Sequence, residues 1–281
     1  MKKLVLVASI LALSTSAAFA QVAPTAPTTS FVAPGVQLAH IDQLGSANET
    51  LIDQTTGVYG VADISQTGNN LFVDVINQTD TGVAGGGNIF SDPANIVDID
   101  QVGDNARART RQSNTTGGTA NTIVIEQHAL AGAATPFAGF ALNAGVFQDS
   151  GSDNQSSVIQ GVAGTPVSGL TASNVQNGES NRSVIAQNAF PSADPITRGL
   201  VFQQGDFNES NLVQEGNDHL ADISQFGNSN VSDVTQTGEG QDLLLVQSGV
   251  GHLATVIQGT TDGNMADINQ AGANNVATVN Q

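Results

Sequence analysis

The chain contains no cysteine and no tryptophan, one tyrosine, and seven Lys+Arg among 281 residues. Without cysteine there can be no disulfide, no thiolate metal site and no cysteine nucleophile. Both lysines, Lys2 and Lys3, lie at the very start, so residues beyond 20 carry five arginines against 25 Asp+Glu. A chain this acidic does not suit phosphate backbones or anionic bilayers, which are recognised by clustered Lys and Arg. No nucleic acid partner and no membrane insertion are therefore expected. Charged residues amount to 11%, few for a soluble globular domain. Beyond residue 20 no apolar run approaches the roughly 20 residues that a bilayer-spanning helix needs. The sequence has no G-x-S-x-G and no histidine pair at metal-ligand spacing, and its Asp pairs are spread rather than concentrated. It predicts no enzyme, no cofactor and no metal.

What the chain does have begins with a leader. Lys2 and Lys3, an apolar stretch from Leu4 to Leu13 and the small-x-small group Ala18-Phe19-Ala20 predict a secretory signal peptide over residues 1–20. Residues 21–38, rich in Ala, Pro and Thr, have too little apolar surface to fold alone and predict a flexible lead-in. The product is expected outside the cell.

Amides dominate the rest, with 25 Asn and 24 Gln. Glutamines at 43, 54, 66, 78, 101, 112, 127, 148, 160, 176, 187, 203, 214, 225, 236, 247, 258, 270 and 281 recur mostly at intervals of 11 or 12 residues. In all nine 11-residue intervals the second position after the opening Gln is glycine: Gly45, Gly103, Gly178, Gly205, Gly216, Gly227, Gly238, Gly249 and Gly272. The fifth is asparagine in five, at Asn48, Asn181, Asn208, Asn230 and Asn275, and His219, Gln241 and His252 stand there in three others. The consensus is Q-x-G-x-x-N-x-small-x-apolar-x-Q, an internal repeat.

Between Asn230 and Gln236 the pattern alternates, with Asn230, Ser232, Val234 and Gln236 on one side and Val231, Asp233 and Thr235 on the other. That is the period of a strand. The first side is constrained from copy to copy and is therefore the inside. Six strand residues and a five-residue turn cannot bury a core alone. Two such units back to back form a rung of 22 residues, and stacked rungs can bury one. The expected fold is all-β, a β-solenoid or β-helix of strand-turn-strand rungs, cross-β in a polymer. Stacking sets like residues above like, so Gln and Asn side chains would satisfy one another in ladders. Outside the lead-in, prolines occur only at 93, 136, 166, 191 and 195, all within the longer intervals, as expected of residues that cannot donate to a ladder. The repeat domain is thus predicted over 39–281, with insertions near 79–94, 113–120, 128–142, 161–173 and 188–200.

Runs such as Gln176-Asn-Gly-Glu-Ser-Asn181-Arg-Ser-Val-Ile-Ala-Gln187 resemble the curlin repeat of bacterial curli subunits, and the resemblance extends over 43–281. It implies a secreted subunit that assembles with itself into extracellular amyloid fibres of the biofilm matrix, on the bacterial surface and in adhesion. It also implies a nucleator subunit and an outer-membrane secretion pore of the curli type as partners. The amyloid-ladder positions would be Gln43, Gln54, Gln176, Gln187, Gln203, Gln214, Gln225, Gln236, Gln247, Gln258, Gln270 and Gln281. Asn48, Asn181, Asn208, Asn230 and Asn275 join them, with turns at Gly45, Gly178, Gly205, Gly216, Gly227, Gly238, Gly249 and Gly272.

Arg107, Arg109 and Arg111 alternate and so share the outer face, either as gatekeepers against uncontrolled stacking or as a plain solvated stripe. His219 and His252 fall at opposite edges of the rung and read as structural. The last interval closes at Gln281, which leaves an expected open edge for growth. The alternative reading is a monomeric β-solenoid adhesin or ligand-binding scaffold whose insertions form the binding face.

Overall fold

The computed structural model describes residues 18–19, 38–53, 60–80, 95–114, 121–129, 141–161, 167–189, 196–259 and 262–281. The remainder of the leader, residues 21–37 of the lead-in, part of each expected insertion and Gln54 lie outside the described residues, as does the side chain of Gln78; Leu38, the last residue of the expected lead-in, opens a strand.

Two ten-stranded sheets face each other, and the chain passes from one to the other with every strand. One sheet comprises β2 (Leu38–Ser46), β4 (Gly60–Asn69), β6 (Asn95–Asp104), β8 (Thr122–His128), β10 (Gln155–Gln160), β12 (Arg182–Asn188), β14 (Glu209–Asn217), β16 (Val231–Glu239), β18 (Leu253–Gln258) and β20 (Val276–Asn280). The other comprises β1 (Ala18–Phe19), β3 (Glu49–Ile52), β5 (Phe72–Asp80), β7 (Ala106–Asn114), β9 (Leu142–Ser150), β11 (Leu170–Asn177), β13 (Thr197–Gln204), β15 (Leu220–Asn228), β17 (Asp242–Val250) and β19 (Met265–Ala273). Apart from β1, which pairs antiparallel with β3 through Ala18↔Thr50 and Phe19↔Glu49, all pairings are parallel. The all-β solenoid expected from the alternation is the fold that forms.

Stacking is in register on the glutamines, for example Gln214↔Gln236 and Gln225↔Gln247. Inward positions fill the space between the sheets with a continuous core that includes Ile64, Ile99, Ile125, Val158, Ile185, Leu212, Ile223, Val234, Leu245 and Val256. Small residues such as Ala62, Ala144, Ala221 and Ala254 precede them and let the sheets approach. A second apolar column of Leu71, Ala106, Ala129, Leu142, Val167, Leu170 and Ala189 flanks the core.

The strands run further than the alternation alone suggests. β15 continues through Gln225 and Gly227, which pairs with Gly249, so the corner is tighter than the expected five residues. Gly227 has φ 99° and Ser229, two residues on, has φ 57°. The same two-step corner recurs at Gly68 and Asn70, Gly178 and Ser180, and Gly272 and Asn274. β11 starts at Leu170 and β13 at Thr197, because the strand claims the six residues before each closing Gln. Each of the five expected insertions is in fact strand at one or both ends, at 79–80, 113–114, 128 and 142, 170–173, and 188 and 197–200.

Candidate functional site

The buried amides form two axial columns whose hydrogen bonds all point the same way. In the sheet of even-numbered strands, Gln43 Nε2 donates to Gln66 Oε1, Gln66 to Gln101 at 2.8 Å, Gln101 to Gln127 at 2.7 Å and Gln127 to Gln160 at 2.8 Å. The column continues through Gln187, Gln214, Gln236 and Gln258 to Gln281, the last link being 3.2 Å. In the opposite sheet Gln112 donates to Gln148, and the series runs through Gln176, Gln203, Gln225 and Gln247 to Gln270 at 2.8–3.1 Å.

Each carboxamide has two N–H donors, and the second crosses the core to the facing sheet. Gln203 Nε2 donates to Arg182 O at 2.9 Å, Gln214 to Arg198 O at 3.1 Å, Gln225 to Glu209 O at 2.9 Å and Gln247 to Val231 O at 3.0 Å. One glutamine thus ties its rung to the next rung and to the other sheet at once. Buried amides are costly unless every donor is used, and here both are.

The asparagines form a third column, at the corners that precede the even-numbered strands. Asn154 Oδ1 accepts the backbone N–H of Asn181 at 3.1 Å, Asn181 Oδ1 that of Asn208 at 3.0 Å, and Asn208 Oδ1 that of Asn230 at 3.1 Å. Each Nδ2 reaches a carbonyl of the neighbouring rung, as Asn208 does to Gly227 O at 2.7 Å. His252 takes the next place and Asn275 the one after it. Asn48 lies at the opposite corner, where Leu71 N donates to its Oδ1 at 3.1 Å and where Leu71, Ala106, Leu142 and Leu170 replace amides in the rungs that follow. His219 and Gln241 occupy that second corner, so the two histidines do sit at opposite edges of the rung.

Asn95, Asn121 and Asn154 escape a reading keyed to the fifth position after the opening Gln, and the first two stand behind the longer intervals. Asn121 N donates to Asn95 Oδ1 at 3.0 Å, and Asn154 N to Asn121 Oδ1 at 2.9 Å. All three precede their closing Gln by six residues, so counting backward from it finds them.

Glycine is required beside the columns for two reasons. Gly45, Gly178, Gly205, Gly216, Gly227, Gly238, Gly249 and Gly272 all have φ between 99° and 136°, and a Cβ on Gly227 would sit 2.1 Å from Gly249 O. No L side chain fits there.

On the outer face Arg107 stacks over the Phe72 ring at 5.1 Å and Arg111 over Phe147 at 5.5 Å. Arg111 also holds Asp149 in a two-pronged pair at 2.5 Å, and Arg109 lies 3.6 Å from Asp74. Burial raises the Asp74 carboxyl above its ordinary value despite the opposing pull of Arg109 and Arg107. The opposite face of the neighbouring rungs is acidic. There burial, Asp63 and Asp100 together push Asp98 upward, while His40 bonds Asp63 at 2.8 Å and His128 bonds Glu126 at 2.7 Å. Among the described residues no group of three or more His, Asp or Glu is placed to hold a metal ion.

The geometry binds rungs to rungs. The curlin associated repeat family model matches residues 199–227, 205–238 and 242–272. No curated protein and no solved structure matches the chain.

Proposed function

We propose, from the resemblance of residues 199–238 and 242–272 to the curlin associated repeat, that this protein is a secreted structural subunit that stacks end to end into curli-like extracellular amyloid fibres. The observation that carries the reading is the direction of the glutamine columns. At one end Gln43 Oε1 is buried and has no donor among the described residues. At the other end Gln281 Nε2 donates to Met265 O at 3.1 Å and Gln270 Nε2 to Leu253 O at 3.1 Å, which leaves each with one axial N–H. An acceptor at the front and donors at the back are what a head-to-tail polymer joins.

The surfaces match in register as well. Carrying the stack one step further sets Gln281 over Gln43, Val279 over Ile41 and Ala277 over Ala39 of a second copy. In the other sheet Ile268 falls over Ile52, Ala266 over Thr50, Asp267 over Leu51 and Asn269 over Asp53. Among the inward pairs Val279 meets Ile41, Ala277 meets Ala39 and Ile268 meets Ile52, and in none of the named pairs do two like charges meet. The leader reading fits this arrangement, because cleavage after Ala20 removes the Ala18–Phe19 strand from the β3 edge. A nucleating subunit and an outer-membrane pore are the partners such a subunit needs, and surface attachment within a biofilm is its role.

The test is seeded growth of mature residues 21–281. Wild-type seeds should elongate with wild-type chain and grow at least about tenfold more slowly with Val279→Lys, which plants an ammonium in the joint at a cost of more than about 1.4 kcal/mol. Equal elongation by the variant would overturn head-to-tail stacking on this face. A chain that stays monomeric under all seeding conditions would favour the scaffold reading instead.

A further inference from the structure

Two corner positions hold imidazoles in hydrogen-bonding frames that elsewhere are built for asparagine. Asn230 shows the frame. Its Nδ2 donates to the carbonyl four residues earlier, Phe226 O, at 3.2 Å, and its Oδ1 accepts the backbone N–H of the next rung, that of His252, at 3.1 Å. His252 reproduces both bonds with ring nitrogens. Its Nε2 lies 3.1 Å from Ser248 O, again four residues earlier, and its Nδ1 lies 3.2 Å from Asn275 N in the next rung. At the opposite corner His219 does the same, with Nε2 3.2 Å from Glu215 O and Nδ1 3.3 Å from Gln241 N.

These partners determine the tautomer. A carbonyl oxygen can only accept, so Nε2 carries the proton in both rings. A backbone N–H can only donate, so Nδ1 carries a lone pair. Both imidazoles are therefore neutral in the closed stack. A second proton would go on Nδ1, where it would point at a backbone N–H donor. Space for rearrangement is short, since a Cβ on Gly216 would come within 2.9 Å of His219 Nε2 and one on Gly249 within 3.0 Å of His252 Nε2. Both side chains are buried.

The charged groups around the two rings differ. Asp218 and Glu239 face His219, and the Glu215 carbonyl bonds it; all three favour the imidazolium, yet burial outweighs them and holds its pKa below the ordinary value. Asp218 also has an assignment of its own, accepting the Ile196 N–H at 3.0 Å. Against His252 stand Asn230, Ser248 and Asn275, all uncharged.

We propose that His219 makes the cohesion of the C-terminal rungs proton-sensitive: the stack closes over its neutral imidazole and loosens at that corner when it is protonated. Protonation at His219 removes the bond to the rung begun by Gln241. The device lies in a corner of a single chain, so it stands whether or not chains polymerise. Its sign follows from the lowered value at His219. The stability it lends is fully present above the unfolded imidazole value of about 6.5 and is lost as pH falls below it. At pH 5 a ring that takes no proton when folded lowers the folded-to-unfolded ratio by up to about 30-fold.

The experiment compares denaturant midpoints of the full chain at pH 7.5 and pH 5.0 with those of His219→Asn. Asparagine keeps the frame and does not titrate, and the carboxylates respond alike in both proteins. Wild type should lose more stability on acidification than His219→Asn, by up to the 30-fold factor above. Equal acid responses in wild type and His219→Asn would overturn the proposal. Nitrogen-15 spectra of the wild-type imidazoles test the same point without a substitution. A neutral His219 ring protonated at Nε2 is expected in the folded chain at pH 7.5, and a doubly protonated His219 in a fully folded chain at pH 5 would overturn the proposal.

Discussion

Replacing Gln225 with leucine nearly keeps the volume and removes four hydrogen bonds from the middle of a column, the weakest of them to Ser232 Oγ at 3.4 Å. Gln225 donates to Gln247 Oε1 and to Glu209 O, both at 2.9 Å, and accepts from Gln203 Nε2 at 2.8 Å. Its loss leaves one N–H of Gln203 and the Oε1 of Gln247 unpartnered in a space closed to water, although Gln203 keeps Arg182 O and Gln247 keeps Gln270 Oε1 and Val231 O. Each orphaned group costs about 1–3 kcal/mol, so the penalty is about 2–6 kcal/mol. The extra apolar surface of leucine returns about 1 kcal/mol. The natural control is Gln204→Leu, since Gln204 is exposed next to the buried Gln203 and should change stability by less than about 0.5 kcal/mol. Denaturant midpoints of the two variants, read against wild type, decide the matter. If Gln225→Leu were no less stable than Gln204→Leu, the axial column would not be what holds successive rungs.

Other substitutions separate the remaining contributions. Gly227→Ala, with φ at 99° and a Cβ 2.1 Å from Gly249 O, should cost about 2–5 kcal/mol, whereas Gly263→Ala, at φ 74° with open space around it, should cost about 1–2; thermal midpoints would show the gap. Ile223→Ala opens a cavity in the central core and should cost about 2–5 kcal/mol by denaturant titration, against under about 1 for the exposed Leu244→Ala. Burial, Asp63 and Asp100 raise the Asp98 carboxyl, so its charge opposes folding at neutral pH. Asp98→Asn should therefore stabilise the chain at pH 7, with the advantage fading as acid neutralises the wild-type group; a constant advantage across pH would contradict that origin.

The glutamine columns were legible because each strand-turn unit contributes one Gln at a spacing close to 11 residues, and parallel in-register stacking of alternate units then superposes them. The inward face was equally open to reading, since strand alternation assigns Ser232, Val234 and Gln236 to one side without reference to any neighbour. Three features were hidden for physical reasons. The bond from each Gln to a carbonyl of the facing sheet, such as Gln225 to Glu209 O, depends on how closely two sheets approach, which no single repeat encodes. Asn95 and Asn121 stand behind long intervals, so their positions are fixed by the strand that follows rather than the one before. The apolar corner of Leu71, Ala106, Leu142 and Leu170 replaces amides on one side only, and this asymmetry emerges only once alternate units are assigned to separate sheets. The arginines read correctly as outward-facing, but their stacking on Phe72 and Phe147 comes from strands in neighbouring rungs.

The central claim is that chains continue the stack from Gln281 of one copy to Gln43 of the next. Fibre X-ray diffraction from mature residues 21–281, refolded from denaturant and left undisturbed, addresses it directly. The account predicts unbranched fibres with a meridional reflection near 4.7–4.8 Å, able to seed fresh chain. A β-rich product that remains monomeric, or fibres whose strands run along the axis rather than across it, would contradict it.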